Sequence, residues 1–198
     1  MYVRKKPFIV EFTGTPEAGK TTVINILFED LKKLGYKVKL YPESAEITPK
    51  EFPKGCLEAK LWMNFDTAKN ILEAQYLSNY DIVLFDRGVF DRIFWIYLDS
   101  VYNPEAAVKN SIFNNIFNEY PSDLLVAFYV SIDEAIKRRG GEGRLVTKEF
   151  IKNYNILFQT FISTLKTNKC VVNTTDKTIE EVVKFATNSI LENLKSHS

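Results

Sequence analysis

The stretch Phe8-Ile9-Val10-Glu11-Phe12-Thr13, followed at once by Gly14-Thr15-Pro16-Glu17-Ala18-Gly19-Lys20-Thr21-Thr22, decides how this chain is read. The first six residues form a short, largely apolar run of the kind that makes a buried strand. The next eight have the form G-x-x-x-x-G-K-T. From Thr21 to Leu34, the residues Val23, Ile24, Leu27 and Leu31 recur on one helical face. A strand, a glycine loop and a helix in that order make a phosphate cradle. Gly14 and Gly19 let the backbone pass close to phosphate oxygens, with the N–H groups of Thr15, Pro16's neighbours Glu17 and Ala18, and the residues up to Thr22 available around them. The helix N-terminus adds partial positive charge. Lys20 is placed to bridge terminal phosphates, and Thr21 offers a hydroxyl to Mg²⁺.

Outward from this loop, short apolar runs alternate with longer helical patterns. Strands are predicted at 37–41, 81–85, 124–130 and 170–172, and helices at 59–77, 132–139, 148–165 and 179–194. Strands apolar throughout and separated by helices form a parallel sheet covered on both faces. The expectation is a three-layer, doubly wound α/β domain with about five strands, spanning 1–198 as one unit. Ligands in such sheets bind beyond the C-terminal strand ends. A chain of 198 residues is long enough for one real core.

Ile82-Val83-Leu84-Phe85 ends in Asp86, a carboxylate that can reach a metal ion held at the phosphate loop. Arg87 follows, and its planar fork suits phosphate oxygens, the alternative being a structural ion pair with Asp86 or Asp91. Lys137-Arg138-Arg139-Gly140-Gly141-Glu142-Gly143-Arg144 packs four cations and three glycines into eight residues. It reads as an arginine/glycine lid over about 137–147 that closes on a transferring phosphoryl group. The phosphate loop has no arginine among Thr15 to Ala18, so closure would supply that charge.

Composition narrows the alternatives. The formal net charge is +1, which gives no global footprint for nucleic acid or a membrane surface. No window approaches the roughly 20 apolar residues of a spanning helix. Glu11 interrupts the apolar run that a signal peptide would continue, so targeting is rejected. Cys56 and Cys170 match no metal spacing and read as reduced residues of a cytoplasmic protein. The single histidine, His197, leaves almost no room for histidine chemistry.

The phosphate loop, Asp86-Arg87 and the glycine/arginine segment, in this order, resemble the P-loop nucleoside and nucleotide kinases, especially thymidylate kinase and the deoxynucleoside kinases. The resemblance covers nearly the whole chain and implies the P-loop NTPase/kinase fold. It implies ATP and Mg²⁺ as donor and cofactor, with Thr21 and Asp86 at the metal and Lys20 and Arg87 at the transferring phosphate. Glu43, in Tyr41-Pro42-Glu43 after the second strand, sits where deoxynucleoside kinases place a catalytic glutamate. Arg138, Arg139 and Arg144 match lid arginines. Asn173-Thr174-Thr175-Asp176 falls where the family packs a loop against adenine, which adds Asp176 to the donor site. The family is commonly dimeric.

Two departures leave the acceptor open. Thymidylate kinases usually carry Arg-Glu-Pro where this chain has Pro42-Glu43-Ser44, and deoxynucleoside kinases usually have Glu-Arg-Ser where it has Asp86-Arg87-Gly88. The acceptor is a nucleoside or nucleoside monophosphate, or else an antibiotic, sugar or vitamin-like molecule. The helix Trp62 to Tyr76 is expected to line its pocket, with Trp62, Phe65 and Tyr76 stacking and Asn64, Asp66 and Gln75 reading polar edges. Phe90, Asp91, Phe94, Trp95 and Tyr97 form a second cluster beside that pocket or at a subunit contact. Two other classes stand beside the kinase. One is a GTPase switch, since Asn173-x-x-Asp176 resembles a guanine reader, although Asp86-Arg87-Gly88 is one residue short of a switch motif. The other is a regulatory module that binds ATP and transfers nothing.

Overall fold

The computed structural model describes residues 6–53, 55–139 and 147–197, apart from the side chains of Ala106, Arg139 and His197. The chain alternates strand and helix from its first element. Strand β1 (Phe8–Gly14) leads into helix α1 (Lys20–Lys33), then β2 (Val38–Tyr41), α2 (Leu57–Ala74) and β3 (Ile82–Asp86). Three helices follow: α3 (Val89–Tyr102), α4 (Pro104–Asn110) and α5 (Ile112–Glu119). Strand β4 (Leu124–Tyr129), α6 (Ile132–Arg139), α7 (Lys148–Thr164), β5 (Lys169–Asn173) and α8 (Ile179–His197) complete it.

The strands form one sheet in the order β2-β3-β1-β4-β5, and every pairing is parallel. This is the expected three-layer architecture. β1 lies at the centre with all seven residues buried. Alternate side chains of a strand point to opposite faces. Phe8, Val10 and Phe12 therefore pack with Val23, Ile24, Leu27 and Leu31 of α1 and with Val182, Ala186 and Ile190 of α8. On the other face Ile9 packs with Ile71 of α2, Phe94 of α3, Phe113 and Phe117 of α5, and Tyr154 and Phe158 of α7. The next residue of β1 on that face is Glu11, a carboxylate with no exposure at all.

Local signals explain where the helices start. Cys56 caps α2 by accepting from Ala59 N–H at 3.3 Å, and Thr147 caps α7 by accepting from Phe150 N–H at 3.1 Å. Gly35 follows α1 in a left-handed conformation and closes it. The stretch between β3 and β4, which periodicity alone does not assign, holds α3 to α5. Its apolar residues are spread over short helices broken by Asn103-Pro104 and Ser111, so no long repeat is visible. Among the described residues no helix is long and apolar enough to cross a membrane.

Phe158 is 1% exposed and packs edge-on against Phe94, with ring centroids 5.3 Å apart. Phe158→Ala is expected to lower stability by about 3–5 kcal/mol, read from urea denaturation.

Candidate active site

The site lies where β1 and β3 end side by side. Phe12 pairs with Asp86 in the ladder, which sets Asp86 beside the start of the glycine loop. Gly14 is the pivot. Its φ of 149° lies outside the range that side chains favour, and a Cβ there would collide with the Phe128 carbonyl oxygen on β4. Thr15 N–H donates to that same carbonyl at 3.0 Å, and the Thr15 hydroxyl accepts from Val130 N–H at 3.2 Å. The loop is thus bolted to β4 before it turns. Glu17 and Gly19 both take positive φ, 62° and 81°, and curl the chain into the first turn of α1.

Lys20 is buried. Burial, with the nearby charge of Arg87, lowers its ammonium to a pKa of about 8, opposed by Asp86 and Glu43. A bound polyphosphate would supply the counter-charge that this lysine needs. Thr21 Oγ donates to Asp86 Oδ2 at 2.7 Å. The other oxygen, Asp86 Oδ1, is buried and has no hydrogen-bond partner. Burial, relieved in part by Thr21 and Lys20, holds the Asp86 carboxyl above its usual range. Pro16 and Thr22 flank this centre in the chain.

Arg87 takes φ 65°, a conformation uncommon for any residue but glycine, while its N–H donates to Phe12 C=O at 2.9 Å. The kink turns its side chain back beneath the strand ends. Its NH1 donates to Asp91 Oδ1 at 2.7 Å. Its Nε lies 2.8 Å from Glu43 Oε1, an ion pair rather than an aligned hydrogen bond. Burial opposes the arginine's charge, but Asp91 and Glu43 outweigh it and keep the guanidinium ionised. Asp91 is itself fully buried. Burial pushes its carboxyl up, but Arg87, Arg92 and the Thr13 hydroxyl hold it below the ordinary range. Thr13 Oγ donates to Asp91 Oδ1 at 2.7 Å, and Arg92 NH2 donates to Asp91 Oδ2 at 3.1 Å.

Glu43 is placed by its neighbour. Ser44 Oγ donates to Asp66 Oδ2 on α2 at 2.8 Å, and Asn70 Nδ2 donates to the same oxygen at 3.0 Å. Asp66 therefore braces the loop that carries Glu43 rather than lining a pocket. Beyond Glu43 opens a cavity of about 620 Å³ between the 43–55 loop, α2, α3 and the end of α4. Its apolar wall includes Phe52, Met63, Trp95 and Ile96. Its polar groups include Asn64, which donates to Asn110 Oδ1 at 2.6 Å, and Lys60, which donates to Asp99 at 2.6 Å.

Of the residues expected to read an acceptor, only Asn64 is on the cavity wall. Helical spacing turns Ala59, Lys60, Met63 and Asn64 to one side of α2. Phe65 and Tyr76 fall elsewhere and are 61% and 63% exposed. Phe65 lies edge-on to Phe113, and Gln75 Nε2 donates to Ile71 C=O at 3.3 Å within its own helix. Trp62 is likewise absent from the wall. Trp95, from the second cluster expected beside this pocket or at a subunit contact, supplies the aromatic surface, and Arg92 joins the polar set.

Arg138 stands on the last turn of α6. Its NH1 donates to Glu17 C=O at 3.1 Å and its NH2 to Thr174 C=O at 2.6 Å, with Glu134 on its Nε at 3.1 Å. It ties the phosphate loop to the loop after β5, where Asp176 is exposed. In that loop Asn173 Oδ1 accepts from Thr175 N–H and Oγ–H, so it is engaged in its own turn. The side chain of Arg139, and Arg144 with the 140–146 part of the lid segment, lie outside the described residues.

A methyl group at Gly14 has nowhere to go. Gly14→Ala is expected to destabilise the protein by about 3 kcal/mol or more, checked by thermal melting.

No protein-family model matches the sequence, and no curated protein matches it. Solved structures do match. A deoxyadenosine kinase from M. mycoides, with the products dCMP and a flexible dCDP bound, aligns with a TM-score of 0.67 at 21% identity. The alignment covers 93% of this chain and 99% of that one. The same kinase with bound dATP aligns with a TM-score of 0.69 at 20% identity and the same coverage. This chain has the P-loop kinase fold of those structures.

Proposed function

We propose that the protein is a P-loop kinase that moves the γ-phosphoryl group of ATP to a hydroxyl of a nucleoside. The observation that carries this reading is the Glu43–Arg87 pair, which stands between the phosphate loop and the cavity. Arg87 is an ionised donor next to the place where a terminal phosphate would lie. Glu43 is a carboxylate able to accept the proton of an attacking hydroxyl. The similar structures are those of a deoxyadenosine kinase, which supports a nucleoside as acceptor.

The charge of the cavity favours a nucleoside over a nucleoside monophosphate. Among the described residues, Glu43, Glu46 and Asp99 balance Lys50, Lys60 and Arg92 on its wall. Lys60 is spent on Asp99 and Arg92 on Asp91. A phosphate-bearing acceptor needs surplus cations, and a carboxylate at the reaction point would repel it. A neutral nucleoside needs neither. Its base can lie on Trp95 and its polar edge against Asn64.

Thr21 and Asp86 fit a magnesium ion. Their oxygens are brought together, and Asp86 Oδ1 is buried without a partner. Among the described residues no cluster of three or more His, Cys, Asp or Glu could hold a metal by itself. Such an ion would take its other ligands from phosphate and water, as Mg²⁺ commonly does, and would supply charge neutralisation to the phosphates. In the transfer itself Lys20 and Arg87 stabilise the phosphoryl oxygens, and Glu43 takes the proton of the acceptor hydroxyl. Arg139 and Arg144 are proposed to add charge from the lid segment. Arg138, Asp176 and the turn around them are proposed as the adenine side of the donor site.

ADP release from ATP and Mg²⁺ should be measured against nucleosides, nucleoside monophosphates and unrelated hydroxyl compounds. Stimulation by a nucleoside is expected. Stimulation by monophosphates alone would overturn the hydroxyl reading, and no stimulation at all would favour a module that only binds ATP. Lys20→Ala should abolish transfer while leaving the fold intact by circular dichroism. Glu43→Gln should lower kcat by about 10²- to 10⁴-fold with a much smaller change in KM for ATP.

A further inference from the structure

Glu11 is the one charged residue of β1, and it points to the face otherwise filled by Ile9, Thr13 and the aromatic core. A carboxylate without exposure is costly to bury and needs partners. Three converge on it. Asp91 N–H donates to Oε1 at 2.8 Å, Phe90 N–H to Oε2 at 3.0 Å, and Ser122 Oγ to Oε2 at 3.1 Å. The first two are free N–H groups of the first turn of α3, which has no side-chain cap of its own at Gly88. Gly88 leaves the space this needs, since a Cβ there would lie 2.8 Å from Glu11 Oε2.

The turn held in this way carries Asp91, on which Arg87 is anchored. Two neighbouring positions of β1 grip the same residue. Glu11 takes the Asp91 backbone and Thr13 takes its side chain. An apolar residue at position 11 would fill the core and leave α3 unseated. Resting on the kinase reading above, we propose that Glu11 is a positioning residue for phosphoryl transfer. Its ionised carboxylate seats the first turn of α3 on β1, so that Asp91 holds Arg87 against Glu43, and losing that charge releases the arginine.

The group titrates in a useful range. Burial, helped by the charge of Asp91 and opposed by the backbone N–H groups and Ser122, raises its carboxyl to about 7. The charged or titratable groups nearest it are Asp91 and Arg92 of α3, Arg87 just before that helix, Lys20 at the start of α1, Tyr154 on α7 and Asp123 before β4. Arg87, Arg92 and Thr13 keep Asp91 ionised, and Asp123 is engaged by Ile9 N–H and Lys6. The ionised form accepts both helix N–H groups, so it is the competent form, and turnover should rise as pH increases through about 7. For stability the sign is opposite. A raised carboxyl favours folding fully below its ordinary range near 4.5, and this contribution fades as pH rises to about 7.

The test compares wild type with Glu11→Gln and Gly88→Ala from pH 5.5 to 8.5 at saturating substrates. Glu11→Gln should show kcat about 10-fold or more below wild type at pH 8. It should lack the rising limb near 7 and keep KM for ATP within about 2-fold. Gly88→Ala, which crowds the same carboxylate, should show the same loss of kcat. The melting-temperature difference between wild type and Glu11→Gln should shrink steadily as pH rises from 5.5 to 7. A wild-type kcat and limb in Glu11→Gln would overturn the proposal. So would equal loss of kcat and ATP affinity, which a general loosening would produce.

A second readout does not need transfer. The Arg87 Nε–H resonance, identified by its absence in Arg87→Lys, should shift through about pH 7 in wild type and not in Glu11→Gln. If no acceptor is phosphorylated by wild type, the kinase reading falls and this titration alone decides Glu11. An Arg87 resonance indifferent to pH near 7 would overturn the coupling.

Discussion

A buried guanidinium has to be answered by carboxylates, and in this protein that requirement organises the site. Arg87 sits with its side chain 9% exposed between Glu43 and Asp91. Removing a charge from water costs far more than a surface ion pair returns, so neither partner is optional. Glu43 comes from the loop after β2, Asp91 from α3, and Arg87 itself from the end of β3. Three separately folded segments are therefore locked to one charge. The left-handed backbone at Arg87, φ 65°, falls at the same point of the chain, where a strained conformation is held by its surroundings.

The phosphate loop is fastened from the opposite side by neutral contacts. Close packing of Gly14 on the Phe128 carbonyl and the two hydrogen bonds of Thr15 fix its base to β4. Tyr154 of α7 donates to the Gly14 carbonyl at 3.3 Å and belongs to the aromatic core. Thr15 N–H and Ala18 N–H are spent on Phe128 C=O and Thr15 C=O, so the backbone donors left for a ligand are those at the start of α1. Rigidity at the base with open donors at the tip is what an oxyanion site requires.

The cavity shows how position on a helix decides function. α2 carries Trp62 and Phe65, yet neither takes part in the wall, while Lys60, Met63 and Asn64 do. Aromatic surface comes from Trp95 on the neighbouring α3. Two pairs of its polar groups bridge helices, Lys60 with Asp99 and Asn64 with Asn110. These pairs span α2, α3 and α4, so the cavity is held open by the same contacts that give it polarity.

The sequence by itself determined the layers, the parallel sheet and the phosphate loop. Apolar runs without alternation have no stable place except a sheet covered on both faces, and G-x-x-x-x-G-K-T has one geometry between a strand and a helix. It also singled out Thr21 with Asp86, because both lie next to elements whose ends are fixed by pattern. Only the tertiary structure decided the rest. Asp91 stood in the sequence as one member of an aromatic cluster and, with Asp86, as an alternative ion-pair partner of Arg87; only the fold chose Asp91 and added Glu43. Arg138 read as part of a lid, but its helix packs beside the phosphate loop and gives it backbone carbonyls instead. Glu11 broke an apolar run, and that charge inside a strand buried on both faces was the one available signal of its role. Its partners lie 79 and 80 residues away along the chain. Local pattern fixes what forms an element, whereas the pairing of buried charges depends on which elements fold together.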